Sequence, residues 1–215
     1  MQKKPIRKNH GDAHGNLEEI EKAEKALSAG SKIDLKVARA LEELEAPFTA
    51  FVLTEPKEFS QIRAGIMRRF GLADSMCIYI TFNTGFGKLE SGFARENINT
   101  ENIRFVDLIS KTAGSRLEKK KNVSYLDGPS DLTELILLAE KLLNEAEQKK
   151  SFIILDSVST MLVYNDSSTI EKFLHALLEK INGFGATAIL LSSDLTGHEE
   201  ITSTISQFVD KMVKI

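Results

Sequence analysis

From Pro47 onward the chain alternates short apolar runs with longer stretches whose apolar residues recur every three or four positions. "FTAFVLT", "MCIYITF", "FIILD" and "ATAILLSS" show no alternation of polar and apolar residues. Each therefore reads as a strand buried on both faces, the mark of a parallel sheet with helices on either side. Between them, "FSQIRAGIMRRFG" reads as a helix that turns Ile62, Ile66, Met67 and Phe70 inward. A second helix is predicted over about 131–148, where Leu132, Leu135, Ala139, Leu142 and Leu143 keep a helical period. A third is predicted over about 169–182, with Ile170, Leu174, Leu177 and Ile181 on one face until Gly183 stops it. Ser168 and Glu171 have the spacing of a capping box for that helix. Shorter strands are expected at "IRFVD", "VSYLD" and the terminal "KMVKI", with a helix at about 199–208 between "ATAILLSS" and "KMVKI".

The first 46 residues differ in character. Residues 1–15 are polar and without periodicity and read as a flexible tail. Residues 16–46 read as a helical appendage of two segments, one starting at Asn16 and Glu19, the other carrying Ile33, Val37, Leu41 and Leu44 on one face and ended by Pro47. Residues 47–215 form the α/β domain. A chain of 215 residues that is 42% hydrophobic is long enough to bury a substantial core. The net charge of −3 gives no global case for nucleic acid, although Lys3, Lys4, Arg7 and Lys8 make the start locally basic. One cysteine, Cys77, allows neither a disulfide framework nor a zinc cluster. No apolar run approaches the ~20 residues of a membrane span, and "NHGDAHGN" stands where a signal-peptide core would be, so a cytoplasmic location is expected.

Chemistry concentrates at one place. The strand "FIILD" ends on Asp156-Ser157, and a carboxylate at the carboxyl edge of a central strand is suited to holding the Mg²⁺ that escorts ATP phosphates. The stretch "SFIILDSVSTMLVYNDSSTIEKFLHALLEKINGFGATAILLSSD", followed by "ISQFVDKMVKI", resembles the second half of KaiC-like and RadA-like members of the RecA ATPase superfamily. "IYITFN" and "INTENIRFVD" resemble uncharacterised archaeal relatives of that group. The resemblance covers about residues 47–215. It implies a three-layer RecA-like fold with a mostly parallel sheet, the P-loop NTPase architecture, and a phosphate-binding loop after the first core strand.

That loop is missing. A phosphate loop needs G-x-x-x-x-G-K-[ST], because glycines let backbone N–H groups close on phosphates and the lysine reaches the terminal ones. "LTEPKEFSQIRAG" has no glycine between Thr54 and Arg63, Lys57 is followed by Glu58, and the carboxylates of Glu55 and Glu58 are expected to repel a polyanion. The resemblance also implies glutamates at the end of the next strand to polarise the attacking water; here Asn83 stands in "ITFNT", and an amide takes up no proton at physiological pH. The glycine-rich "NTGFGKLESG", with Gly85, Gly87 and Lys88, does not satisfy the phosphate motif and reads as a loop leading into a helix. His10, Asp12 and His14 lie in the tail, and His175 and His198 have no recognisable catalytic companion.

The expectation is a degenerate, non-catalytic pseudo-ATPase without cofactor or metal, acting through a protein partner or self-association. Thr54, Asn83, Asp156 and Ser157 mark its remnant crevice. Two alternatives stand beside it: a sensor that still binds ATP and Mg²⁺ in that crevice, and a DNA-associated accessory factor.

Overall fold

A computed structural model describes residues 29–70, 75–146, 150–193 and 195–215. Helix α1 (Ala29–Ala40) is followed by β1 (Thr49–Thr54), α2 (Phe59–Phe70), β2 (Ser75–Thr81), α3 (Phe86–Arg95), β3 (Ile103–Asp107) and β4 (Val123–Tyr125). Then come α4 (Leu132–Glu145), β5 (Lys150–Asp156), α5 (Val158–Tyr164), α6 (Ser167–Gly183), β6 (Thr187–Ser193), α7 (Glu199–Ser206) and β7 (Lys211–Lys214). The seven strands form one sheet in the order β4-β3-β2-β5-β6-β1-β7, and every pairing is parallel.

The layers follow from the connections. A parallel crossover is right-handed, so the direction in which the chain steps along the sheet decides which face its helix covers. From β1 through β2 to β3 the chain steps one way, and α2 and α3 share one core with α1. From β4 to β5, β6 and β7 it steps back, and α4, α5, α6 and α7 pack on the other face. The architecture is thus the three-layer α/β fold expected from the sequence. The central strands are buried along their whole length on both sides, which is why they carry no polar alternation.

Helix α1 is seated on α2. Ile33, Val37 and Leu41 lie in the same core as Ile62, Ile66 and Met67. Gly65 makes the approach close: a Cβ there would stand 3.1 Å from Ile33 Cγ2 and 3.2 Å from Val37 Cγ2. Arg68 of α2 clasps Asp34 of α1 through Nη2 at 2.7 Å and Nε at 2.9 Å, and reaches Glu96 after α3 at 3.1 Å. The apolar stripe of this segment is therefore covered by the body of the protein. The earlier helix read from Asn16, and the tail with His10, Asp12 and His14, lie outside the described residues.

Two local readings are corrected. The helix before β6 starts at Ser167, and its cap is Asp166, whose carboxylate accepts from Thr169 N at 2.9 Å and Thr169 Oγ1 at 2.8 Å; Ser168 lies inside the first turn. The stretch after Asp156, to which the sequence reading assigns no element, is helical: "VSTMLVY" forms α5, capped by Ser157. β-Branched and aromatic residues lower intrinsic helix preference, but burial of Val158 and Met161 against the sheet holds the turns.

Candidate functional site

The chain reverses its stepping direction between adjacent strands β2 and β5, so their connections leave on opposite faces. In open parallel sheets such a point leaves a crevice beyond the carboxyl ends of the strands. Here a crevice of about 500 Å³ opens there, lined by α2, α3, the end of β2, the start of α5 and Ser193 at the end of β6.

Its floor is an ion pair. Asp156, in register with Thr81 of β2 and Leu191 of β6, has no solvent exposure. Arg63 of α2 donates from Nη1 to Asp156 Oδ2 at 3.2 Å, and the phenol of Tyr79 donates to the same oxygen at 2.5 Å. Asp156 Oδ1 and Arg63 Nε are buried and have no hydrogen-bond partner among the described residues. The guanidinium also lies 5.9 Å from the centre of the Phe93 ring, which packs edge-on to Tyr79. Burial pushes the Asp156 carboxyl above the usual carboxylate range; the charge of Arg63, the bonds from Tyr79 and Arg63, and the nearby Asn83 amide all pull against it. Burial likewise works against the charge of Arg63, but Tyr79 and Asp156 outweigh it and hold the guanidinium above its ordinary value. The Tyr79 phenol is pushed well up, mainly by burial and by the adjacent Asp156 charge, and so stays a donor.

The walls are hydroxyls and cations. Ser157 Oγ contacts Thr160 Oγ1 at 2.8 Å and Ser159 Oγ at 3.1 Å, and Ser193 Oγ donates to Ser159 Oγ at 2.9 Å, which ties the start of α5 to the end of β6. The Asp156–Ser157 peptide bond is cis. On the opposite wall, Lys88 and Arg95 of α3 line the crevice on either side of Gly92. Helix α3 is positioned by Asp107 at the end of β3, whose fully buried carboxylate accepts from Phe86 N at 2.7 Å, Ile109 N at 2.8 Å, Ser110 N at 2.9 Å and Ser110 Oγ at 2.6 Å. Gly85 is required there because a Cβ would collide with the Ser110 hydroxyl.

Of the four residues singled out in the sequence, Asn83 and Ser157 line the crevice. Asp156 lies beneath it, and Thr54 is buried with its hydroxyl donating to Glu55 O at 3.3 Å. The connection after β1 is a tight turn, Glu58 N to Glu55 O at 2.9 Å, and Pro56 has no N–H to offer. The expected repulsion by Glu55 and Glu58 is corrected: Glu55 pairs with Lys57 at 2.7 Å, Glu58 pairs with Lys36 at 2.9 Å, and neither lines the crevice. Gly87 and Lys88, read as loop, stand in the first turn of α3. His175 packs edge-on against Phe208, and His198 precedes α7. Among the described residues no cluster of His, Cys, Asp and Glu has the makings of a metal site, and no helix is long and apolar enough to cross a membrane.

Arg63 escaped the sequence reading although it carried a signal. It lies four residues after Phe59 and three before Ile66, on the buried stripe of α2, and a charge at a buried position needs a partner.

Fold and crevice together define an open-sheet α/β protein with a polar, cationic opening at the strand carboxyl ends. The chain belongs to a family of unknown function, DUF7090, whose model matches residues 74–215. No curated protein matches it. Among solved structures it is similar to the crystal structure of uncharacterized protein PH0321 from Pyrococcus horikoshii in complex with an unknown peptide. That similarity has a TM-score of 0.63 and 14% sequence identity over 83% of this chain and 81% of the other, a likeness of fold.

Proposed function

We propose that this protein is a non-catalytic relative of the RecA-like ATPases that works by binding protein rather than by turning over nucleotide. The observation that carries the reading is the ion pair at the floor of the crevice. The carboxylate suited to a nucleotide's Mg²⁺ is fully buried and bonded to Arg63, so an internal cation already stands beside it. A divalent ion entering there would have to displace a guanidinium and leave it buried and unpaired. The connection after β1 offers no cradle either, because Pro56 lacks an N–H and that of Glu58 is bonded to Glu55. Asn83 supplies no base for water. The residues present therefore do not fit Mg-ATP.

Protein binding is supported by the likeness in fold to PH0321, whose structure contains an unknown peptide. It is also supported by apolar side chains left open on the face away from α1, with Val163 73% and Leu137 62% exposed. Thermal melting with excess Mg-ATP tests the first half. A ligand at about 100 times its dissociation constant would add roughly 2.7 kcal/mol, several degrees in Tm; no shift is expected. Sedimentation equilibrium and peptide-array binding test the second, with loss of the signal expected for Val163→Asp or Leu137→Asp.

A further inference from the structure

We infer that the crevice binds a small phosphate-class oxyanion, phosphate or pyrophosphate, without a metal. Its lining includes Arg63, Lys88 and Arg95 but neither Asp nor Glu among the described residues. The Arg63 charge is matched by Asp156. Lys88 and Arg95 have no carboxylate partner among the described residues, so within that part of the structure two positive charges face a polar cleft unpaired.

The arrangement suits one ligand held by both. Lys88 and Arg95 are seven residues apart on α3, two helical turns or about 10 Å, a span that two long side chains can close upon. Gly92 lies between them on the same face, and no atom comes within 4 Å of where its Cβ would be, so the wall is hollow between the cations. Across the opening, the hydroxyls of Ser193, Ser159, Ser157 and Thr160 form a chain of three hydrogen bonds in which Ser193 donates to Ser159, and the one O–H that this chain leaves over can donate to a phosphoryl oxygen. A carboxylate on Mg²⁺ is not needed, because the positive charge comes from side chains. This inference rests on the reading of Asp156 as closed by Arg63, and extends it to what the remodelled crevice holds.

The test is a titration of the full chain with inorganic phosphate and pyrophosphate, in EDTA and then with Mg²⁺, followed by amide chemical shifts and calorimetry. Saturable binding is expected in EDTA, tighter for pyrophosphate, with shifts at Lys88, Arg95 and Ser157. Lys88→Gln with Arg95→Gln is expected to weaken it at least tenfold. Lys141→Gln with Lys172→Gln removes the same charge from helices on the opposite face and is expected to change it less than twofold. All four side chains sit on helix surfaces, and melting curves confirm that each variant folds. Absence of saturation up to about 10 mM, or equal weakening by the two double variants, would overturn the oxyanion site and leave the pseudo-ATPase reading standing. Binding that appears only with Mg²⁺ and vanishes in Asp156→Asn would instead overturn the closed-site reading and the metal-free claim together.

Discussion

Arg63 Nη1 stands 3.2 Å from Asp156 Oδ2, joining the buried face of α2 to the end of a strand 93 positions later in the chain. Asp156 is fully buried and the Arg63 side chain is only 14% exposed, at the floor of the crevice, so the carboxylate has no water as a substitute partner and the guanidinium has little. Removing one member of such a pair leaves the other desolvated and uncompensated, whereas removing both is often close to neutral. Asp156→Asn, which keeps an acceptor for Tyr79, is expected to cost about 3 kcal/mol. That is at or above the top of the 1–3 kcal/mol range for a disturbed buried hydrogen bond. Arg63→Met should cost a similar amount. The double variant should recover at least half of the summed loss, measured by urea denaturation; strict additivity would mean that the pair is not coupled.

The sheet was legible because burial on both faces writes itself into every strand residue, as in "CIYI" and "FIILD". The pattern of "VSTMLVY" is different: seven residues offer too few turns for a helical period to show, and only contact with the sheet decides their state. The candidate site was half legible. Asp156 is marked by its strand end, but its partner is fixed by the fold rather than by any local spacing. The cationic wall of α3 was hidden in a glycine-rich stretch because Gly85 and Gly87 suggest a loop. Gly85 is in fact demanded by the close packing of Ser110, and Gly87 faces Glu118.

Asp107 should control that wall. Its carboxylate accepts four hydrogen bonds with no exposure to solvent, and two of the four come from Ser110. Asp107→Asn turns an NH₂ group toward donors and leaves at least one N–H unsatisfied, for which about 1–3 kcal/mol is expected. Because Phe86 N is one of those donors, hydrogen exchange at the first turn of α3 should rise more than exchange in β2. Uniform exchange changes across the domain would argue against a local role.

Helix α1 offers a separable test. Gly65 is the point of closest approach between α1 and α2, with Ile33, Val37 and Asp34 all within 3.3 Å of where its Cβ would be. Gly65→Leu should lift α1, at a cost of about 1–3 kcal/mol from overpacking. Exchange protection over residues 29–40 should fall, while that of β5 and β6 holds. Val37→Ala, which leaves a small cavity instead, should weaken protection less.

The alkaline limb of stability should report the core of β2. The Cys77 thiol is wholly buried, and burial raises its pKa from 9.0 to about 12. The Tyr79 phenol, two residues on, is also pushed well above 10.0, chiefly by burial. In the unfolded chain both groups release protons near their ordinary values, whereas the folded chain retains them. Their contribution is therefore complete below pH 9 and is lost as pH rises from there through the folded-state values. Each group that has titrated only in the unfolded state takes away about 1.4 kcal/mol per pH unit. Cys77→Ala should accordingly be less stable than the parent at pH 7, because it leaves a small cavity, yet lose less stability between pH 9 and 11. Urea midpoints at a series of pH values measure both. Parallel curves for parent and variant would show that the thiol does not hold its proton in the folded protein.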